Sequence, residues 1–382
     1  MSAGSMASLD ASAIGDEIGR WVSVESPSAD AEAVNRMVDL AEDRLRAMGA
    51  SIERQVGQQG CGDILTGRIA GQSEGPGILM LGHLDTVHPL GTLQGALPLR
   101  RDGDRLYGPG AYDMKGGNVL GFAALAHLHA QGRRPRLPVT VMMIPDEELG
   151  SPTSRPAIEA EAARAACALV LEPSGGGGAL TVARHGMVRY HLRVEGVSAH
   201  AGAEHEKGVS AIREMAHQVL AIEALSDNAR DFTVNVGLIR GGIYENRVPD
   251  LCEATVYARV PGPAEADELR AALDALKPHH PKARITLTPG LYRPPYEKTP
   301  QIQALYELAC ACADELGIAL NGARVAGGGS DGNFTAAAGL PTLDGLGVIG
   351  GGPHTHEEYA LISSLAPRAR LLVALLERIG AS

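Results

Sequence analysis

The chain has 382 residues, of which 45% are hydrophobic and 21% are charged. This balance excludes a mainly disordered protein, and the length suits two or three domains. The 34 Lys and Arg residues against 45 Asp and Glu give a formal net charge of −11, and aromatic residues make up only 3%. Because nucleic-acid surfaces need basic patches and aromatic stacking platforms, we predict no nucleic-acid partner.

The cysteines and the N-terminal sequence bear on the compartment. Five scattered cysteines are too few and too irregular for a disulfide framework, and they form no paired CxxC motif. The first residues show neither a basic region nor an apolar region of a signal peptide. Since no apolar run reaches the roughly 18 residues that a membrane helix needs, we predict a cytoplasmic protein without a membrane partner.

The first part of the chain alternates predicted helices with short apolar strands. Apolar residues at helical spacing predict a helix over residues 29–48, which Gly49 ends. We predict a further helix around residues 119–129, and strands at 64–69, 77–81, 139–144 and 168–171. The last three strands are typical of strands that are covered on both faces of an α/β sheet. Each of them ends just before a histidine or a carboxylate.

The pattern changes after about His185. Polar and apolar residues now alternate in three predicted strands, with helix-like stretches between them, at residues 187–194, 232–239 and 254–260. Half-exposed strands that alternate with helices predict a small α+β sandwich with one solvated face. Near Arg293 the first pattern returns, with a predicted helix over 302–316. We therefore predict one domain from residues 1–184 and 295–382, with residues 185–294 inserted as a second domain.

Histidines and carboxylates cluster at the predicted strand ends and in the turns beside them. In open α/β sheets, ligands bind at the carboxyl ends of the strands. A set of histidine and carboxylate ligands without cysteine is typical of a catalytic rather than a structural zinc site. Each residue alone could be a buried histidine or a solvated acidic turn, but together they predict a metal centre. The candidates are His83, Asp85, Asp113, Glu147, Glu148, Glu172 and His354.

Five motifs around these residues resemble, in order, those of the co-catalytic metallopeptidase family of carboxypeptidase G, acetylornithine deacetylase, succinyl-diaminopimelate desuccinylase and aminoacylase. The resemblance extends from roughly residue 15 to residue 380. It implies a zinc-exopeptidase-like α/β catalytic domain, with a mixed central sheet and helices on both faces, and an inserted α+β sandwich that serves as a dimerisation or lid domain. The motifs are GHLDTV (82–87), GPGAYDMKGG (108–117), DEELGS (146–151), LEPS (171–174) and GGGPHTHEEY (350–359).

The resemblance implies five metal ligands and two Zn²⁺ ions per subunit, which Co²⁺ or Mn²⁺ could replace. Asp113 would bridge the two ions. His83 and Glu172 would hold one ion, and Glu148 and His354 would hold the other. Two ions that share a water molecule lower its pKa and make hydroxide available near neutral pH. In this family the peptide bond after the residue that corresponds to Asp113 is often cis.

Two further residues near these ligands receive roles from the resemblance. Glu147 would act as general base and later protonate the leaving amine. Asp85, two residues beyond His83, would orient the imidazole through its second ring nitrogen.

Two other histidines lie close to the motifs. His356 is an alternative to His354 as the metal ligand, but the motif with Glu358 and Tyr359 favours His354. We expect His88 to be an inert residue at the rim of the site.

The inserted domain also carries candidate residues. In the VSAHAG motif (197–202), the resemblance implies that His200 reaches the active site of the partner subunit and stabilises the oxyanion. Asn246 and Arg259 resemble positions that contact the substrate carboxylate and the oxyanion. Arg293 resembles the arginine that binds the free carboxylate of the substrate, a task that suits a bidentate guanidinium. The alternatives are a helix-capping turn for His200 and surface or hinge positions for the others.

These observations predict a homodimeric two-zinc hydrolase that cleaves an amide bond next to a free carboxylate. Its substrate would be an N-acyl amino acid or a short peptide. The YRPP and GGGSDGNF segments most resemble the carboxypeptidase G branch, which implies release of a C-terminal glutamate or a similar residue. The alternatives are an N-acyl-amino-acid deacylase and a carbamoyl-amino-acid amidohydrolase. A non-catalytic dimer that binds an amino acid is the alternative from a different class.

Overall fold

The computed structural model describes residues 9–380, which divide into two compact units. The first comprises the described residues of Met1–Ala183, Glu297–Ala326 and Ser330–Ser382, and the second comprises Arg184–Tyr296 and Gly327–Gly329. The division lies within two residues of the predicted domain boundaries. The second unit also takes in Gly327–Gly329, which lies inside the range predicted for the catalytic domain. That the second unit serves as a dimerisation or lid domain stays a prediction.

The secondary-structure elements are numbered here in chain order. The strands are β1 (Ser51–Gln55), β2 (Ile64–Ile69), β3 (Ile78–His83), β4 (Arg100–Asp102), β5 (Arg105–Tyr107), β6 (Val139–Ile144), β7 (Cys167–Val170), β8 (Leu180–Arg184), β9 (Gly186–Glu195), β10 (Thr233–Gly241), β11 (Leu251–Val260), β12 (Arg284–Arg293), β13 (Ala323–Ala326), β14 (Thr342–Leu343), β15 (Gly350–Gly351) and β16 (Tyr359–Leu361). The helices are α1 (Ala11–Val22), α2 (Ala31–Ala47), α3 (Lys115–Ala130), α4 (Arg155–Ala162), α5 (Ala211–Glu223), α6 (Pro263–Asp274), α7 (Pro300–Leu316), α8 (Gly332–Ala337) and α9 (Ile362–Arg378).

A mixed sheet with the strand order β1-β2-β6-β3-β7-β14 forms the centre of the first unit. The pairs β3–β6, β3–β7 and β7–β14 are parallel, whereas β1–β2 and β2–β6 are antiparallel. Every residue of β3 and β7 is buried, as expected for central strands that are covered on both faces. The predicted α/β fold with a mixed central sheet is therefore confirmed.

Side chains of β3 alternate between the two helical layers. Leu79 and Leu81 lie in one apolar cluster with Ile158 of α4 and Phe334 of α8. Met80 points to the opposite face, where α3 approaches so closely that a Cβ atom at Gly121 would lie 2.9 Å from the methionine sulfur. Helices thus cover both faces of the sheet, and the buried sheet holds the strand ends in fixed positions.

The second unit is a four-stranded antiparallel sheet with the order β10-β11-β9-β12. Buried and exposed residues alternate along β9 and β11, and the buried face forms a core with residues of α5 and α6. This arrangement agrees with the predicted α+β sandwich that has one solvated face.

The predicted elements match the structure closely where apolar periodicity is strong, since strands 64–69 and 139–144 have the predicted bounds. The sequence did not predict α1 or β12. Pro289 and Gly290 interrupt β12, and its register against β9 shifts between Pro289 and Tyr292. Because β12 is an edge strand, it tolerates a proline that a central strand would not. No helix within residues 9–380 is long and apolar enough to cross a membrane.

Candidate metal centre and active site

The ends of three parallel neighbouring strands bring the candidate ligands together. Strand β3 ends at His83, and β6 and β7 lie on either side of it. Because parallel strands end at the same edge of a sheet, the segments that follow β6 and β7 place Glu148 and Glu172 beside His83. Asp113 lies in the turn just before α3, and the peptide bond Asp113–Met114 is cis, as the resemblance implied.

Asp113 lies between two histidines, and each of its carboxylate oxygens faces a different one. Its Oδ1 is 3.2 Å from His83 Nε2, and its Oδ2 is 3.4 Å from His354 Nε2. A second carboxylate accompanies each histidine: Glu172 Oε1 is 3.9 Å from His83 Nε2, and Glu148 Oε2 is 3.2 Å from His354 Nε2. The five predicted ligands therefore form two groups that share Asp113.

The residues of this cluster fit a divalent metal centre. Ligand atoms of His83, Asp113 and Glu148 all lie within 4.8 Å of one another. Two ligands that bind the same ion at about 2 Å lie at most about 4 Å apart, so this spacing is close to that of a metal site. The donors are imidazole nitrogens and carboxylate oxygens without a thiolate, which suits Zn²⁺, Co²⁺ or Mn²⁺ in a catalytic site. Four of the five side chains are buried or half-buried, with His83 2% exposed, whereas the His354 side chain is 54% exposed.

The electrostatics of the cluster reflect its crowded carboxylates. Burial lowers the pKa of His83, but hydrogen bonds to Asp113 and Asp85 outweigh that effect and hold the pKa well above its usual range. Hydrogen bonds to Asp113 and Glu148 raise the pKa of His354 to about 10. Although burial acts in the opposite direction, His354 and His83 lower the pKa of Asp113. The carboxylates that favour a proton on each imidazole would also favour a cation there, and binding a metal ion requires each imidazole to be neutral.

Asp85 has a wider role than the sequence predicted. The nearest contact of His83 Nδ1 is the backbone carbonyl of Asp85 at 3.0 Å, whereas the Asp85 carboxylate lies 3.4 Å away. That carboxylate accepts hydrogen bonds from the Ser28 hydroxyl (2.6 Å) and from the backbone N–H groups of Glu147 and Glu148 (3.2 Å each). Asp85 therefore orients His83 mainly through its backbone, and its side chain anchors the turn that carries Glu147 and Glu148.

The turn after β6 and the loop before β16 supply the remaining candidates of the first unit. Glu147 and Glu148 are consecutive in a short 3-10 turn, Glu147–Leu149, and the side chain of Glu148 is directed to His354. His354 adopts a left-handed conformation with φ of 61°, which is uncommon for a residue other than glycine. The structure places His354 rather than His356 beside Asp113 and Glu148, in line with the motif.

The other four predicted residues belong to the second unit. The His200 ring is exposed, and its Nδ1 accepts hydrogen bonds from the backbone N–H groups of Gly202 and Ala203. The backbone carbonyl of Asn246 accepts a hydrogen bond from Ala201, so Asn246 lies next to the His200 turn. The remaining two are arginines: Arg259 forms an ion pair with Asp231, and Arg293 is buried at the end of β12.

The structure corrects one expectation and adds residues that the sequence did not single out. His88 is 5% exposed rather than placed at a rim, and its Nε2 donates a hydrogen bond to Glu358 at 2.8 Å. In the sequence, Glu358 stood out only as part of the motif that favours His354 as the metal ligand. Ser28, the partner of Asp85, had no signal, because it is 57 residues away in the chain and follows no strand.

Comparison with known proteins identifies the family. A model of the peptidase family M20/M25/M40 matches residues 79–378. The chain belongs to this family. It is 31% identical over 370 residues to carboxypeptidase G2 of Pseudomonas sp. (strain RS-16). The aligned region covers 95% of this chain and 88% of that relative. It is also 32% identical over 244 residues to acetylornithine deacetylase of Myxococcus xanthus, covering 59% of this chain and 62% of the relative.

Two solved peptidase structures share the fold. Aminopeptidase PepT from Bacillus cereus superposes with a TM-score of 0.75 at 23% identity, covering 96% of this chain and 98% of that chain. The metallo-carboxypeptidase Sso-CP2 from Sulfolobus solfataricus superposes with a TM-score of 0.71 at 16% identity. The match covers 94% of this chain and 97% of that chain. The predicted family and the predicted class, a metal-dependent hydrolytic enzyme of the peptidase and amidohydrolase type, are confirmed. The alternative of a non-catalytic binding protein is not supported.

The anchoring role of Asp85 can be tested by comparing two conservative variants. In Asp85→Asn, an amide N–H₂ replaces an oxygen that accepts backbone N–H groups, and we expect the free energy of unfolding to fall by about 2 kcal/mol. Ser28→Ala removes one of the same hydrogen bonds and should cost about 1 kcal/mol. Urea denaturation with chelator present measures both changes without a metal contribution. Equal stability of Asp85→Asn and wild type would contradict this role.

Proposed function

We propose that this M20/M25/M40 peptidase is a two-metal hydrolase that cleaves an amide bond next to a free carboxylate. We further propose that it is a carboxypeptidase that releases a C-terminal glutamate or a similar amino acid. The observation that carries the first part is the position of Asp113, whose two carboxylate oxygens face two different histidines. The relative at 31% identity, a carboxypeptidase, supports the second part. We also propose that the protein is located in the cytoplasm.

Two divalent ions, Zn²⁺ by resemblance, would supply Lewis acidity and lower the pKa of a water molecule. Asp113 would serve both ions, since its two carboxylate oxygens face the two histidines. His83 and Glu172 would complete one site. Glu148 and His354 would complete the other, as their contact of 3.2 Å suggests.

Glu147 is proposed as the general base. Its neighbour Glu148 is directed to His354, and the backbone N–H groups of both residues are held by Asp85. This anchoring fixes the backbone of the turn from which the Glu147 side chain extends. Glu147 would take a proton from the attacking water and deliver it to the departing amine nitrogen as the amide C–N bond breaks. The products are a carboxylate and a free amino acid.

Recognition of the substrate carboxylate is proposed for residues of the second unit. Arg293 is the strongest candidate, because a buried guanidinium can bind a carboxylate through two parallel hydrogen bonds. A Cβ atom at Gly329 would lie 2.8 Å from Arg293 Cδ, so the glycine loop leaves room for this side chain. Arg259 and Asn246 are proposed as further contacts to the substrate.

We propose that the enzyme acts as a homodimer in which His200 serves the partner's active site. Because His200 Nδ1 accepts two backbone N–H groups, the neutral ring carries its proton on Nε2 and can donate it to an oxyanion. The second unit also exposes large apolar side chains near the end of β10, which suits contact with a second copy of the chain. These side chains are Leu238, Ile239, Ile243 and Tyr244.

The second candidate function is an N-acyl-amino-acid deacylase, favoured by the 32% identity with acetylornithine deacetylase. Such an enzyme would bind the same free carboxylate and differ in the pocket for the acyl group. A carbamoyl-amino-acid amidohydrolase is the third candidate. The solved hydantoinase and carbamoylase family structure from Burkholderia vietnamiensis, at 18% identity and a TM-score of 0.64, shares the fold alone.

Amino-acid release from a substrate panel distinguishes these candidates. The panel contains C-terminal glutamate conjugates, N-acetyl amino acids, N-carbamoyl amino acids and plain dipeptides, each with added Zn²⁺ and with chelator. We expect chelator-sensitive release from the glutamate conjugates. Glu147→Gln should lower kcat by at least about 100-fold, because proton transfer contributes that much to catalysis, while its zinc content stays that of wild type.

Two results of the panel would contradict the proposal. Preferred release from acetylated or carbamoylated substrates would replace the carboxypeptidase by one of the other two candidates. Full activity of Glu147→Gln would overturn the role of Glu147 as general base. Glu159→Gln removes the same charge from a partly exposed position of α4, where Glu159 pairs with Arg155, and serves as the matched control.

Mixing two inactive variants tests whether His200 acts across subunits. If it does, a dimer of one Glu147→Gln chain and one His200→Ala chain contains one complete active site. We expect the mixture to regain up to about a quarter of the wild-type activity after subunit exchange, because half of the dimers are mixed and each has one working site. Exchange is verified by native mass spectrometry of the mixture. Formation of mixed dimers without recovered activity would contradict the proposed role of His200.

A further inference from the structure

Glu358 is a buried carboxylate behind the metal centre that no role proposed above uses. It is 1% exposed. Its Oε1 accepts hydrogen bonds from the backbone N–H groups of Tyr112 and Asp113, both at 2.9 Å. Its Oε2 accepts one from His88 Nε2 at 2.8 Å and one from the backbone N–H of Gly110 at 3.2 Å. The carboxylate therefore has a donor at each of its roughly four acceptor positions.

These four contacts join three segments of the chain that carry proposed ligands. His88 lies five residues after His83, and Glu358 lies four residues after His354. The third segment runs from Gly110 to Asp113. Pairing of β16 with β5 sets Tyr359 opposite Tyr107, so the residue before β16 lies beside the turn that follows β5. The fold thus brings the Glu358 side chain to the backbone of the Gly110–Asp113 segment and to the side chain of His88.

The chemistry of the contact explains why a carboxylate is needed there. The backbone N–H groups of Gly110, Tyr112 and Asp113 converge on the Glu358 carboxylate. Such a concave arrangement of N–H groups binds an anion. Hydrogen bonds to an ionised acceptor are shorter and about twice as strong as those between neutral groups. Because one of the three N–H groups is that of Asp113 itself, Glu358 holds the backbone from which the shared carboxylate extends.

We propose that Glu358 is a positioning residue for the metal centre, which fixes the turn of Asp113 relative to the segment of His354. His88 contributes to the same function by holding the second oxygen of Glu358. This inference rests on the proposed ligand roles of Asp113 and His354. Glu358 acts through other residues, because its two oxygens accept hydrogen bonds from these four donors.

Zinc affinity of Glu358→Gln tests the proposal. Glutamine keeps the size of the side chain, but its N–H₂ group faces donors where Glu358 has an accepting oxygen. We expect the zinc affinity, measured by competition with a chromophoric chelator, to fall by about tenfold or more, as for other groups that orient metal ligands. The value of kcat should fall and KM should change by less than about twofold, because no substrate contact is lost.

Two further variants complete the experiment. Glu357→Gln removes the same charge from the exposed neighbouring residue and should bind zinc as wild type does. His88→Ala removes one of the four donors, and we expect a smaller loss of zinc affinity, of about threefold. In the Glu358→Gln background, His88→Ala should cause no further loss, since the contact it removes is already broken. His88→Ala also serves as the test if Glu358→Gln does not fold.

Three results would overturn the inference. Wild-type zinc affinity in Glu358→Gln would do so, and if that variant does not fold, wild-type affinity in His88→Ala would do so. A lower melting temperature of metal-free Glu358→Gln with unchanged zinc affinity would assign Glu358 to stability alone. If the wild-type protein itself binds no zinc, the proposed metal centre fails together with this inference. The other two outcomes contradict only the inference and leave the proposed metal centre intact.

Discussion

The electrostatic repulsion among carboxylates that share a buried site is the constraint on which this structure depends. Asp113 contacts both His83 and His354, while Glu172 lies near His83 and Glu148 near His354. Burial and then the Asp113 charge raise the pKa of Glu148, and the contact with His354 offsets this only in part. Such a cluster is costly unless cations or protons neutralise it. The fold must hold these groups together, and a divalent cation is the ligand that the arrangement favours.

Besides the two imidazoles, the protein opposes this repulsion by fixing the backbone that carries the ligands. Three adjacent parallel strands determine where His83, Glu148 and Glu172 leave the sheet. The turns beyond the strands are then held by buried carboxylates that accept backbone N–H groups: Asp85 for the turn after β6, and Glu358 for the turn before α3. Negative side chains thus organise the loops without competing for the metal ligands' own atoms.

Much of this arrangement could be predicted from the sequence because its main signals are local. Apolar strands such as Val139–Ile144 end in acids, and the order of the motifs indicated the family. Contacts made through backbone N–H groups carry no such signal. His88 and Glu358 are 270 residues apart, and nothing in either residue type indicates that they meet. Strand β12 was missed for a related reason, since Pro289 and Gly290 hide a strand that only its pairing with β9 defines.

Anomalous diffraction from crystals grown with Zn²⁺ tests whether Asp113 is shared by two metal ions. Data collected above and below the zinc absorption edge locate the ions without reference to activity. We expect two peaks about 3.5–4 Å apart on either side of the Asp113 carboxylate, one next to His83 and Glu172 and the other next to Glu148 and His354. A single peak, or ions bound away from Asp113, would contradict this expectation.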